Sequence, residues 1–156
     1  MSSLLIKRAV ESDLECLQKI GRQTFKDSLT GMVADASMDA YLNQAFHRKL
    51  LQDALENPQV RFYLLFDRQT CVGYARINLL QSENDKYSGA EIERFYLLAS
   101  HHGTGASDYF MKFLLSQIRT KNISAAWLGV WEKNPRAIKF YQRHGFRKKG
   151  IVDFQL

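Results

Sequence analysis

Apolar positions along this chain switch between a period of two and a period near four, and the switches mark out its elements. Leu4 to Arg8 reads as a short opening strand. Ser12 followed by Glu15 is a capping box, after which Leu14, Leu17, Ile20 and Thr24/Phe25 recur at helical spacing. A second helical stretch runs from about Ser37 to Asn57, with Tyr41, Leu42, Ala45 and Phe46 and then Leu50, Leu51, Ala54 and Leu55. Asn57-Pro58 ends it, because the residue before a proline is pushed out of the helical region. Arg61–Phe66 and Val72–Leu79 are rich in aromatic and apolar residues and flank the turn Asp67-Arg68-Gln69, which predicts a hairpin. Gln81–Gly89 is a polar loop.

The second half is more legible. Glu91–Leu98 predicts a strand and His101–Gly105 a glycine-containing turn. Ala106, Phe110, Phe113/Leu114 and Ile118 form the inner stripe of a helix ending near Lys121-Asn122. Ala125–Val130 predicts a further strand. Asn134 is an N-cap with Pro135 at the first helical position, where the missing N–H costs nothing. Ala137, Ile138 and Tyr141 share a face, and Gly145 is the glycine that closes the helix. Phe146–Phe154 starts a last strand that stops at Leu156 with no turn and no return partner. The order β, α, α, β, β, β, α, β, α, β predicts an α/β fold, a mixed sheet with helices on both faces.

Composition narrows the class without naming a chemistry. A chain of 156 residues is expected to form one domain with a real core, and 46% apolar and 24% charged residues are ordinary for a globular protein. No apolar run approaches the roughly 20 residues that span a bilayer. The N-terminus carries early acidic residues and lacks an apolar leader core, so a cytoplasmic location is expected. Cys16 and Cys71 have neither metal-ligand nor redox spacing and read as free, buried thiols. The net charge of +6 suits nucleic acid, a membrane surface or an anionic cofactor. Its densest group, Arg143, Arg147, Lys148 and Lys149, straddles a helix end, where the dipole favours cations in any case. With no nucleic-acid module in view, neither nucleic acid nor membrane is expected as a partner.

Two segments carry candidate chemistry. His102-Gly103-Thr104-Gly105-Ala106-Ser107 joins a strand to a helix start, where glycines allow a tight turn and unsatisfied amides favour an anion such as a pyrophosphate. Asp108 breaks a G-x-G-x-x-G match, and no Gly-Lys-Ser/Thr is present. His101 and His102 are adjacent on a turn with no third ligand spaced to join them, so no metal is expected. His144, before Gly145, reads as a helix-end cation.

The second segment meets the pattern Asn-x-x-Ala-x-x-Phe-Tyr-x-x-x-Gly-Phe in full, at Asn134, Ala137, Phe140, Tyr141, Gly145 and Phe146. With that pattern the chain resembles the GNAT superfamily of N-acetyltransferases. The family's phosphate turn, Arg/Gln-x-x-Gly-x-Gly/Ala, is met strictly only at Gly105, with His102 in the first place and Ser107 in the last. Glu91-Ile92-Glu93-Arg94 before the turn, Trp127–Asn134, and the pairs Tyr41-Leu42 and Ala45-Phe46 with Gln23-Thr24-Phe25 resemble the PaiA-like bacterial spermidine/spermine N-acetyltransferases. The resemblance covers nearly the whole chain and implies a mostly antiparallel sheet. It fails at the end, where that branch continues into an acidic Gly-Asp turn and a final strand, so the chain reads as short by one strand.

The resemblance implies that an acetyl group moves from acetyl-CoA, a co-substrate, to a primary amine, a polyamine such as spermidine or spermine. Tyr141 would be the general acid to the coenzyme A thiolate. Phe95, Tyr96 and Leu97 would pair with the pantetheine arm like an added strand, with the Leu97 N–H polarising the thioester carbonyl. His102, Gly103, Thr104, Gly105, Ala106 and Ser107 would take the pyrophosphate. Asn134 would cap its helix and contact the arm, or cap only. Glu91 and Glu93, two apart on one strand, point to one face and would accept the amine proton, or else form a solvated edge or a salt bridge to Arg94. Asp27, Asp35, Asp39 and Glu83 would flank the acceptor groove. The alternatives are a non-catalytic acyl-CoA-binding module of the same fold, and an acetyltransferase acting on a protein, a peptide or another small amine. An unpaired sheet edge makes a homodimer possible.

Overall fold

The hairpin predicted at Asp67–Gln69 is the centre of the sheet. In the computed structural model, which describes residues 3–29, 34–79 and 89–150, β2 (Val60–Asp67) and β3 (Thr70–Asn78) pair antiparallel from Val60↔Asn78 to Asp67↔Thr70. β1 (Leu4–Arg8) lies antiparallel outside β2, and β4 (Ala90–Leu97) antiparallel outside β3. β5 (Ala126–Trp127) joins β4 in parallel, so the order is β1-β2-β3-β4-β5 and the sheet is mostly antiparallel.

Both faces of the central strands are covered, which is why β2 reads as a continuous apolar run rather than an alternating one. Phe62 and Leu64 point to one side with Tyr74, into a core shared with α1 (Leu14–Leu29), α2 (Asp35–Ala45) and α3 (Arg48–Glu56). Tyr63 and Leu65 point to the other, where Phe110, Met111, Leu114 and Ile118 of α4 (Ala106–Thr120) pack. α5 (Pro135–Arg143) lies on that second side through Phe140 and Tyr141.

Four local readings change. The single helical stretch over 37–57 is two helices, because His47 takes an extended conformation and caps α3, its Nδ1 accepting from the Lys49 N–H at 3.2 Å. The cap before α1 belongs to Asp13, whose carboxylate accepts from the Val10 N–H at 2.8 Å and pairs with Lys7. β5 is two residues long rather than six, because it leaves β4 after Trp127. Phe146–Gly150 is irregular, and the remainder of the predicted last strand lies outside the described residues, as do Gln81–Ser88 with Glu83.

Candidate active site

α5 is built entirely by local rules. The Asn134 Oδ1 accepts from the Ala137 N–H at 3.2 Å and Pro135 follows it. At the other end Gly145 takes φ +92°, which lets its N–H bond the Gln142 carbonyl at 3.0 Å and the Phe146 N–H bond the Tyr141 carbonyl at 3.1 Å. This is a Schellman closure, and the apolar contact that accompanies it is Tyr141 against Phe146, with ring centroids 5.9 Å apart. The same turn that ends the helix therefore fixes the tyrosine.

Tyr141 also meets Phe95 of β4 edge-on at 6.4 Å and Phe140 at 5.4 Å. Burial, and then the neighbouring Tyr96 phenol, push its pKa well above the ordinary tyrosine value. The group stays protonated throughout the neutral range.

Beside it β4 has an open edge. β4 and β5 pair only at Ala90↔Ala126 and Glu91↔Trp127 and then part, so Ile92–Leu97 has no strand neighbour on that side among the described residues. Leu98 donates its N–H to the Val72 carbonyl at 2.8 Å, and ladder groups alternate sides along a strand, so the N–H and C=O of Leu97 face the open edge. The Leu97 carbonyl is taken by the His102 Nε2–H at 2.8 Å. The Leu97 N–H is left facing the gap.

The turn after β4 fits a pyrophosphate. Gly103 and Gly105 take φ +74° and +90°, and α4 opens directly after the second. Thr104 Oγ1 accepts weakly from the Ala106 N–H at 3.4 Å. The N–H groups of Gly103, Thr104, Gly105, Ser107 and Asp108 find no acceptor among the described residues, a row of donors at the positive end of a 15-residue helix. A Cβ on Gly103 would meet nothing within 4 Å, so this glycine serves the turn and not a close approach. Asp108 puts a carboxylate in the first turn, but the His144 Nε2–H donates to it at 2.7 Å and Arg143 lies 3.6 Å away. His144 is thus more than a helix-end cation: it ties the end of α5 to the start of α4.

Glu91 and Glu93 are brought together, although not by simple alternation. The register slips between Arg76↔Arg94 and Ile77↔Ile92, making Glu93 the extra residue of a β-bulge. Asn78 Nδ2 donates to Glu91 Oε1 and to Glu93 Oε1, each at 3.0 Å. Glu93 also has Arg76 at 3.4 Å and Arg94 at 3.7 Å, so the salt bridge to Arg94 is present and a second cation joins it. Arg94 is braced over the Phe46 ring at 4.7 Å. Sequence reasoning missed Asn78 and Arg76. The hairpin register carries the signal for Asn78, which stands opposite Glu91.

Asp27 accepts from Gln23 at 2.8 Å, Asp35 opens α2, and Asp39 borders an open groove with Lys19, Arg22 and Lys26. His101 turns to Asp67 at 2.8 Å while His102 turns to Leu97, so the adjacent histidines diverge.

A five-stranded sheet parted at β4/β5, with a phosphate-type turn and a partly buried tyrosine at the gap, defines an acyltransferase of the acetyl-CoA-using class. The pattern of the acetyltransferase (GNAT) family matches residues 23–146, and the chain belongs to that family. Its co-substrate is acetyl-CoA. An uncharacterised N-acetyltransferase of Lactobacillus delbrueckii subsp. lactis is 29% identical over 150 residues, covering 95% of this chain and 87% of that one. The spermine/spermidine N(1)-acetyltransferase of Bacillus subtilis is 28% identical over 107 residues, 67% of this chain and 70% of its own. Among solved structures, the PaiA N-acetyltransferase of Thermoplasma acidophilum in complex with coenzyme A superimposes with a TM-score of 0.83 at 19% identity, over 96% of this chain and 93% of that one. No helix among the described residues is long and apolar enough to cross a membrane.

Proposed function

We propose that this protein, acting as one domain, acetylates a primary amine of a cationic small molecule, a polyamine such as spermidine or spermine, by direct attack on the thioester. The observation that carries the reading is the partly buried Tyr141 ring packed edge-on against Phe95 of β4, beside the strand's open edge. Acetyl-CoA supplies the activated acetyl group. The free amides of Gly103, Thr104, Gly105, Ser107 and Asp108 would hold its pyrophosphate, the unpaired backbone edge of Phe95, Tyr96 and Leu97 would pair with its pantetheine arm, and the Asn134 amide nitrogen would touch that arm. The Leu97 N–H would stabilise charge developing on the thioester oxygen.

The attacking amine must be neutral. Glu93, through water, would accept its proton; Arg76, Arg94 and Asn78 keep Glu93 and Glu91 in place on the bulge. Tyr141 would return a proton to the departing sulfur. The polyamine class is supported by relatives of that name in Bacillus subtilis and Thermoplasma acidophilum, the latter 21% identical over 149 residues.

The test is release of free thiol from acetyl-CoA with spermidine, spermine, lysine peptides and simple monoamines, for wild type and Tyr141→Phe. Spermidine is expected among the better acceptors, and the variant is expected to lose about 100-fold or more in turnover. Equal rates would remove Tyr141 from the chemistry.

A further inference from the structure

We propose that Tyr41, Phe25 and Tyr96 form an aromatic wall that receives the acceptor as a cationic alkylamine, on the face of β4 opposite Tyr141; the inference rests on the function proposed above. Phe95 and Tyr96 are neighbours on β4 and point to opposite faces. Phe95 packs against Tyr141 and Phe140, so α5 closes that face. Tyr96 stands on the other face, with α1 and α2. An acceptor reaching the open edge of β4 therefore has the Tyr96 face for its approach.

On that face the rings run in sequence from the surface inward. Tyr41 stacks on Phe25 at 4.9 Å and 20°, Phe25 meets Tyr96 at 6.4 Å and 60°, and Tyr96 stacks on Tyr74 at 6.0 Å and 21°. Tyr74 is fully buried and closes the run, whereas Tyr41, Phe25 and Tyr96 each keep part of their surface open.

The chemistry of the wall resolves a conflict of charge. A polycation entering a chain of net charge +6 would ordinarily need an acidic cleft, yet Glu93 is held by two arginines and Asp39 sits among cations. Aromatic faces attract an ammonium through their quadrupole and accept its methylene chain as apolar surface, without net negative charge. The shared feature of suitable acceptors is an alkylammonium, on a free polyamine or on a lysine side chain.

Steady-state kinetics with acetyl-CoA test this on wild type, Phe25→Leu, Tyr41→Leu and the aromatic-preserving Tyr41→Phe, with spermidine, a blocked lysine peptide and n-butylamine. The leucine variants are expected to raise the KM for spermidine about tenfold, the worth of one partly desolvated cation–π contact. The KM for acetyl-CoA should hold, the preference for spermidine over butylamine should vanish, and Tyr41→Phe should behave as wild type. Equal losses with the lysine peptide would support the same wall and assign it to protein lysines as well. An unchanged amine KM in both leucine variants, or a rise in the acetyl-CoA KM that matches it, overturns the inference and leaves the proposed function standing. Thiol release by wild type with none of the amines overturns both.

Discussion

Tyr141 owes its place to backbone geometry before any side-chain contact, since the Gly145 turn returns a bond to its carbonyl and sets Phe146 against its ring. Glu93 owes its place to a bulge and to three partners on β3 and β4. Cutting one of them, as in Arg76→Met, removes one of the contacts that hold the carboxylate on the bulge. The kcat/KM for the amine is then expected to fall while the KM for acetyl-CoA holds, which steady-state kinetics reads. Tyr141 could be singled out in the sequence because its motif is contiguous. The clamp on Glu93 could not be, because Asn78 and Arg76 lie on another strand and meet it only through a register slip that periodicity does not record.

At the scale of elements, α5 stands apart: none of its residues is fully buried, so its ends matter more than its core contacts. Asn134→Ala is expected to cost about 1 kcal/mol through the lost cap. Gly145→Ala should cost a similar amount, about 1 kcal/mol, through its left-handed backbone alone, since an added Cβ meets nothing within 4 Å. Each should lower Tm by about 2–4 °C in a thermal melt. The helix is also joined to α4 by Asp108, whose pKa the His144 hydrogen bond holds below the usual carboxylate range. A carboxyl depressed in the folded state adds stability above its unfolded pKa, about 3.9, and loses it as pH falls through the folded value. Melts between pH 6 and pH 3 should therefore show a loss that Asp108→Asn reduces. These helix ends were legible because capping is written within a few residues. The break at His47 was not, because Leu50, Leu51, Ala54 and Leu55 continue the apolar pattern across it and only the conformation of His47 interrupts the helix.

For the whole molecule, a mixed sheet with helices on both faces followed from the order of strands and helices, while the parting of β4 and β5 did not, because Ala125–Val130 reads as a strand whether or not it has a neighbour. Two bulk properties give measurable outcomes. Burial, with Cys16 alongside, pushes the Cys71 thiol up to about 12. Cys71 should resist thiol-exchange reagents at pH 8 in the native state and react on unfolding, which a colorimetric thiol titration with and without denaturant reads. The net charge of +6 favours a polyanionic co-substrate, so the KM for acetyl-CoA should rise with ionic strength while the KM for a cationic amine does not. The open edge of β4 has a further consequence. Backbone groups that lack a rung among the described residues are completed by whatever binds there, and a ligand that binds only the folded protein stabilises it by mass action, about 2.7 kcal/mol at a hundred times its Kd. The melting temperature of this enzyme should then follow the concentration of coenzyme A and its esters, and its lifetime in a cell would track their supply.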